Sequence, residues 1–278
     1  MKNSIKHILV PTDFSGFSNR AFSFACKIAE RSKAKLLLFH VVEPPYNFAT
    51  AVKGMIEMME KNAQKRMDQL IKESGSSLKI STDIRHGRTS REIIKSVERE
   101  GIDLVVMGSR GQSALSRAVL GSVTEVVAHE LSVPLFIIPF QEDSAEIDPE
   151  GSTVIFATDF NPGDIESFRY SRMFADLFDA NVAPAHYSPA PGFEERIRHA
   201  GFTQVLREEL DDDSIEVESL SGDNLQKSVS DYADVQDAFA VVFNRYNKNA
   251  LQHIIQKDHT EEMVLHSKTP LLIIPTAS

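Results

Sequence analysis

Short apolar runs alternate with amphipathic stretches along the whole chain. Five such runs in the first half end at turn-forming residues, and they are His7 to Pro11, Lys35 to Val42, Leu78 to Ile84, Leu104 to Met107 and Pro134 to Pro139. Between the first two runs the apolar residues recur at helical spacing, at Ala21, Phe24, Ala25 and Ile28, up to about Ser32. This alternation predicts an α/β fold with a doubly wound, parallel, five-stranded sheet.

Two later helices are also predicted, one from this spacing and one from a capping motif. A long helix should run from Ala51 to Ser74, and its regularly spaced apolar residues are interpreted as core-facing: Met55, Met59, Ala63 and Met67. The following helix should begin at a capping box, in which Thr89 and Glu92 satisfy each other's backbone N–H groups, and should end near Glu100.

The second half of the chain repeats the first. The run from Val154 to Phe160 matches Ile8 to Phe14, and Pro270 to Pro275 matches Pro134 to Pro139. An acidic segment without periodicity separates the copies. The repeat predicts two tandem Rossmann-like domains, residues 1–141 and 152–278, and a length of 278 residues suits two domains of ordinary size.

Three glycines follow the fourth apolar run. Gly108 ends that run, Gly111 follows shortly after, and Gly121 precedes a helix predicted from Ser122 to about Leu131. Glycines allow backbone N–H groups to approach an anion closely, and a helix directs the positive end of its dipole toward the same place. The spacing therefore predicts a phosphate-holding loop.

The second copy has lost this loop. Asn244 and Asn247 replace Gly108 and Gly111, while Lys257 and Asp258 replace Gly121 and Ser122. A lysine side chain would block a phosphate, and an aspartate would repel it. Because the surrounding runs persist without glycines, we attribute the three glycines to a ligand rather than to folding, and expect one site in the first half.

Composition restricts the class of partner and the compartment. The net charge of -10 disfavours duplex nucleic acid, and no apolar run approaches the length of about 20 residues that a membrane helix needs. The single cysteine, Cys26, lies on an apolar helical face and is expected to be a buried thiol. We therefore expect a cytoplasmic protein that contacts neither membrane nor nucleic acid.

Several other functional motifs are absent from the sequence. It has no Gly-Lys-Ser or Gly-Lys-Thr, no Gly-x-Gly-x-x-Gly after the first strand and no Gly-x-Ser-x-Gly. Its histidines lack metal-ligand spacing, and His40 at a strand end is interpreted as structural. Asp13, at the end of the first strand, is interpreted either as a ligand contact or as a cap on the next helix.

Both halves resemble the universal stress protein family in its tandem two-domain form. The resemblance rests on Val10 to Ser15, on His40-Val41-Val42 and on Gly108-x2-Gly111-x9-Gly121-Ser122. It implies ATP across the carboxyl edge of the sheet, with Asp13 at the ribose or adenine end and Val41 pairing with adenine through its backbone. The predicted nucleotide-binding residues are Pro11, Thr12, Asp13, Val41, Met107, Gly108, Arg110, Gly111, Gly121, Ser122 and Val123. The Arg110 side chain could add charge-assisted hydrogen bonds.

The resulting prediction is an ATP-binding regulatory protein of the universal stress response, with or without Mg²⁺ on the nucleotide. One alternative is a slow ATPase or self-phosphorylating enzyme, with Ser109, Ser113 or Ser116 as acceptors. Another is an interaction scaffold that needs no nucleotide. The last strands of the two domains are expected to pair with each other as a pseudo-dimer, and a homo-oligomer is an open alternative.

Overall fold

A computed structural model of the protein describes residues 4–43, 52–111, 121–139, 147–245 and 269–276. The chain divides into two compact units, residues 4–142 and residues 143–278. Each unit has the predicted Rossmann-like α/β architecture.

The first unit is a five-stranded parallel sheet with helices between its strands. In chain order the elements are β1 (His7–Pro11), α1 (Gly16–Ser32), β2 (Lys35–Val42), α2 (Val52–Glu73), β3 (Ile80–His86), α3 (Thr89–Glu100), β4 (Leu104–Gly108), α4 (Ser122–Glu130) and β5 (Leu135–Ile138). The strand order is β3-β2-β1-β4-β5, with every pair parallel. From β1 the chain adds strands first toward one edge of the sheet (β2, β3) and then toward the other (β4, β5). Ligands of such sheets bind at the point between β1 and β4 where this order reverses.

Helix α1 shows how local chemistry sets the element boundaries. The Ser15 hydroxyl caps the helix by accepting the Ser18 N–H at 3.2 Å, and Lys33 ends it in the left-handed conformation. Phe22, Ala25 and Ile28 are fully buried on its inner face. Among the helices that the structure describes, none combines the length and the apolar character needed to cross a membrane.

The predictions for α2 and β3 need correction. Ala63 and Met67 of α2 are buried as predicted, but Met55 is 39% exposed. The core-facing interpretation therefore holds only for the later turns of this helix. Strand β3 begins at Ile80 rather than at Leu78, because a turn of serines precedes it, where the Leu78 N–H donates to the Ser76 hydroxyl.

The second unit repeats this order. Its elements are β6 (Thr153–Ala157), α5 (Asp164–Asp176), β7 (Asn181–Tyr187), α6 (Phe193–Leu210), β8 (Glu218–Leu220), α7 (Leu225–Val235), β9 (Ala238–Arg245) and β10 (Leu271–Pro275). The strands lie in the order β10-β9-β6-β7-β8, again all parallel. Phe174, Phe178 and Phe239 pack together in its core.

Cys26 is buried on α1, as its helical position predicted. Burial raises the pKa of this thiol from 9.0 to about 11, with a smaller contribution from the negative charge of Glu30. The reactive thiolate should thus be scarce at pH 8, at roughly one molecule in a thousand. We expect a disulfide reagent to modify Cys26 on the order of 100-fold more slowly in native buffer than in urea. Equal rates under both conditions would contradict this assignment.

Candidate functional site

A cavity of about 380 Å³ opens at the carboxyl ends of β1, β2 and β4. All of the predicted nucleotide-binding residues line it, from Pro11, Thr12 and Asp13 through Val41 to the loop that precedes α4. The strand ends meet there because the sheet is parallel and its order reverses between β1 and β4. The structure thus gathers predicted residues from distant parts of the sequence around one space.

The β1–α1 loop holds Asp13 at one wall of the cavity. Asp13 Oδ1 accepts the Ser15 N–H at 3.0 Å and the Ser15 hydroxyl at 2.6 Å. Between them Phe14 has a φ of 63°, and its N–H donates to the Thr12 hydroxyl at 3.0 Å. The cap of α1 is therefore Ser15, and Asp13 supports the helix start only indirectly, by orienting that cap.

The β4–α4 loop forms the opposite wall. Gly121 donates its N–H to the Ser109 carbonyl at 3.0 Å, and the Thr124 hydroxyl donates to the Gly108 carbonyl at 3.1 Å. These two bonds fix the start of α4 beside the end of β4. Gly121 has no side chain to cap the helix, so within the described residues no cap side chain occupies the first-turn N–H groups of α4. Arg110 adds a cationic group to this wall.

The three glycines lie where other atoms approach closely, and none of them has an unusual backbone angle. None has a positive φ, and Gly121 has a φ of -61°. A Cβ on Gly111 would lie 2.6 Å from Asp13 Oδ2, and one on Gly121 would lie 3.3 Å from the Arg110 Cα. The two walls of the cavity therefore approach each other so closely that a side chain at Gly111 would displace Asp13.

Gly108 corrects the expectation that the glycines serve only a ligand. A Cβ there would lie 2.9 Å from the backbone carbonyl of Phe17, so folding alone requires glycine. The second unit carries Asn244 at the same repeat position, and there the helix after the first strand, α5, begins two residues later in the repeat than α1 does. Asn247, Lys257 and Asp258 lie outside the described residues.

A buried carboxylate distinguishes the second unit. Asp164, at the repeat position of Ser18, is fully buried, and burial raises its pKa while its hydrogen bonds oppose that shift. Its Oδ2 accepts the Thr158 hydroxyl at 2.6 Å and the backbone N–H groups of Asp159 and Asn161 at 3.1 Å. The Asn244 amide donates to Oδ1. The side chain of Asp159, the repeat of Asp13, is by contrast exposed.

Six further residues line the cavity that sequence reasoning did not identify. They are Ser18, Phe39, His40, Glu43, Thr89 and Ile93. The predicted structural role of His40 is supported, since its Nδ1 donates to the Thr12 carbonyl at 2.7 Å and His186 makes the same bond to Thr158. Burial lowers the pKa of His40. A comparison of the repeats would have pointed to Glu43, because Pro189 replaces it.

The predicted capping box at α3 is wrong. The residue before the helix is Arg88, and no side chain at that position caps α3. Instead, Glu43 Oε1 accepts both the N–H and the hydroxyl of Thr89 at 2.6 Å. Glu92 pairs with Lys95 at 2.8 Å. A carboxylate from the end of β2 therefore replaces the local cap, which no pattern within α3 could reveal.

The structure does not support Ser109 as a site of self-phosphorylation. Ser109 is only 3% exposed, its N–H donates to the Ile138 carbonyl, and it does not line the cavity. Ser113 and Ser116 lie outside the described residues. Within the described ranges no three histidine, cysteine or acidic side chains group in a way that could hold a metal ion.

A doubly wound parallel sheet, with a glycine-lined cavity where the strand order reverses, defines an α/β protein of the Rossmann-like class. Residues 4–139 match the model of the universal stress protein family. A universal stress protein of Methanocaldococcus jannaschii is 30% identical over 144 residues, which cover 49% of this chain and 84% of that relative. The chain belongs to the universal stress protein family.

Solved structures extend the likeness in fold to both units. A universal stress protein from Archaeoglobus fulgidus superposes with a TM-score of 0.76 at 20% identity, covering 100% of this chain and 99% of its own. A putative universal stress protein from Pseudomonas aeruginosa gives a TM-score of 0.64 at 17% identity, covering 99% and 94%. At these identities the likeness shows the fold alone.

Proposed function

We propose that the first unit binds one adenine nucleotide, ATP, and that the protein acts through this binding as a regulatory member of its family. The observation that carries the proposal is the cavity around which all of the predicted residues lie. Its volume of about 380 Å³ falls in the range of small-molecule sites, roughly 300 to 1,000 Å³.

The residues at the α4 end of the cavity fit a polyphosphate. Gly108, Gly111 and Gly121 leave the backbone accessible, while Ser122 adds a hydroxyl at the first turn of a helix. Backbone N–H groups at a helix N-terminus bind phosphate oxygens and favour their negative charge. Arg110 can donate charge-assisted hydrogen bonds to the same group, and Mg²⁺ would accompany the phosphates.

The residues at the β2 end fit a planar base. Phe39, Val41 and Ile93 give this end an apolar lining, and Met107 lies on the neighbouring strand β4. The backbone of Val41 would pair with the adenine edge, as the family resemblance implies. Asp13, between the two ends on β1, would accept hydrogen bonds from the ribose or the base.

Binding rather than turnover is the proposed role. Both carboxylates of the cavity already accept hydrogen bonds, Asp13 from Ser15 and Glu43 from Thr89. One oxygen of each carboxylate thus orders a loop at the cavity, and the proposed binding needs neither carboxylate as a general base. The pairing of the last strands of the two units, β5 and β10, remains a prediction from their short apolar sequences and flanking prolines.

Gly121→Lys, which copies the second half of the chain, tests the proposed site. We expect calorimetry to show a loss of ATP affinity on the order of 100-fold, because the lysine side chain would enter the space next to the Arg110 backbone. Gly201→Lys is the matched control, since Gly201 on α6 has open space around it. Undiminished ATP binding by Gly121→Lys would show that the assigned site is wrong.

A further inference from the structure

Glu43 lines the cavity from just beyond β2, two residues past Val41. Its Oε1 accepts two short hydrogen bonds from Thr89, the first residue of α3. Ile93, one turn further along α3, lines the same end of the cavity. Among the described residues only Oε1 of this carboxylate has hydrogen-bond partners, so Oε2 keeps its capacity to accept.

The internal repeat shows that the fold does not need a carboxylate at this place. The helix equivalent to α3 is α7, and it is capped locally by Asn224, whose side chain accepts the N–H groups of Gln226 and Lys227. In the first unit Arg88 replaces Asn224, and a distant Glu43 supplies the cap. In the second unit Pro189 replaces Glu43. In the unit with the glycine loop, the start of α3 is therefore bound by a carboxylate that lines the cavity, and not by a residue next to the helix.

Glu43 also gives the cavity two chemically different ends. Two helices, α3 and α4, begin at this cavity, and either N-terminus could attract an anion. The negative charge of Glu43 occupies the N-terminus of α3, whereas Gly121 leaves that of α4 open. Because β2 and β4 lie on either side of β1, the two ends are separated by roughly 10 Å. Phosphate is therefore repelled from one end and attracted to the other.

We propose that Glu43 determines base specificity by accepting a hydrogen bond from the exocyclic amino group of the purine through Oε2. This assignment rests on the proposed nucleotide binding in the first unit. The Glu43 carboxylate can only accept hydrogen bonds, so it favours a base that places an amino donor at the β2 end of the cavity. It disfavours a purine without that donor, since the carboxylate oxygen would then lose water without gaining a partner.

The test compares ATP with the triphosphate of purine riboside, which lacks the exocyclic amino group, by calorimetry. The test protein is a double variant that carries Arg88→Asn and Glu43→Gln. The control is the single variant Arg88→Asn. The asparagine side chain introduced by Arg88→Asn would restore the local cap seen at Asn224, so α3 keeps its start when the carboxylate is removed. The amide introduced by Glu43→Gln can still accept from Thr89 while it presents an NH₂ group in place of Oε2.

The wild-type protein and Arg88→Asn should both prefer ATP over the analogue by about tenfold or more, and the double variant should lose that preference. Equal affinity of the wild-type protein for both triphosphates would overturn the role of Glu43 and leave nucleotide binding intact. A preference that survives in the double variant would also overturn it. Absence of binding of either triphosphate to the wild-type protein would instead contradict the proposed function itself.

Discussion

Gly111→Ala should reduce the affinity for ATP on the order of 100-fold while leaving the fold intact. The new Cβ would lie 2.6 Å from Asp13 Oδ2, so the Asp13 side chain must move. Such a movement breaks the hydrogen bonds that Asp13 makes to Ser15 at the start of α1. One added methyl group therefore displaces the Asp13 carboxylate from its place in the cavity wall. Calorimetric titration with ATP measures the loss.

Gly54→Ala provides the matched control for this substitution. Gly54 lies in α2 of the same unit, and a Cβ there would meet no atom within 4 Å. The control should bind ATP as the wild-type protein does and gain up to about 1 kcal/mol in stability from helix propensity. If Gly111→Ala binds ATP as tightly as Gly54→Ala, the loop does not approach the nucleotide.

Asp164→Ala should destabilise the second unit by about 3 kcal/mol or more. The substitution leaves the Thr158 hydroxyl, two backbone N–H groups and the Asn244 amide without their shared acceptor in a fully buried place. Asp164→Asn should cost less, because its remaining oxygen can still accept from the β6–α5 loop.

Tyrosine fluorescence during urea unfolding suits this measurement. The chain has no tryptophan, and four of its five tyrosines lie in the second half, at Tyr170, Tyr187, Tyr232 and Tyr246. Ser171→Ala on α5 of the same unit is the control, with an expected cost of about 1 kcal/mol because it removes one buried hydroxyl that donates to the Ser167 carbonyl. A cost for Asp164→Ala no larger than for this control would refute the role of the buried carboxylate.

Periodicity was sufficient to predict the sheet of the first unit. The bounds of β1 and β2 follow directly from their apolar patterns, because each run ends at a residue that stops it. Periodicity could not predict that Met55 is exposed and Met67 buried, since both lie on the same face of α2. Only the packing of α2 on the sheet decides which turns are buried.

The candidate site was predictable where it consists of short local motifs, as at Asp13 and the glycine loop. It was not predictable where the chain brings distant segments together. The capping box failed for this reason, because Glu43 reaches Thr89 from 46 positions away. Gly108 likewise has a packing partner, the backbone of Phe17, that is invisible in the sequence. In the second half Asn244 takes this position, and its amide donates to the buried Asp164.

Native mass spectrometry of the protein titrated with ATP tests the central proposal most directly. One ATP should bind to each wild-type chain, and none to Gly121→Lys at the same concentration. One bound nucleotide would agree with a cavity in the first unit alone. In the second unit Asp164 is hydrogen-bonded to Asn244 and to the β6–α5 loop, at the repeat position of Ser18, which lines the cavity of the first unit. No bound nucleotide on the wild-type chain, or two, would contradict the assignment of a single site.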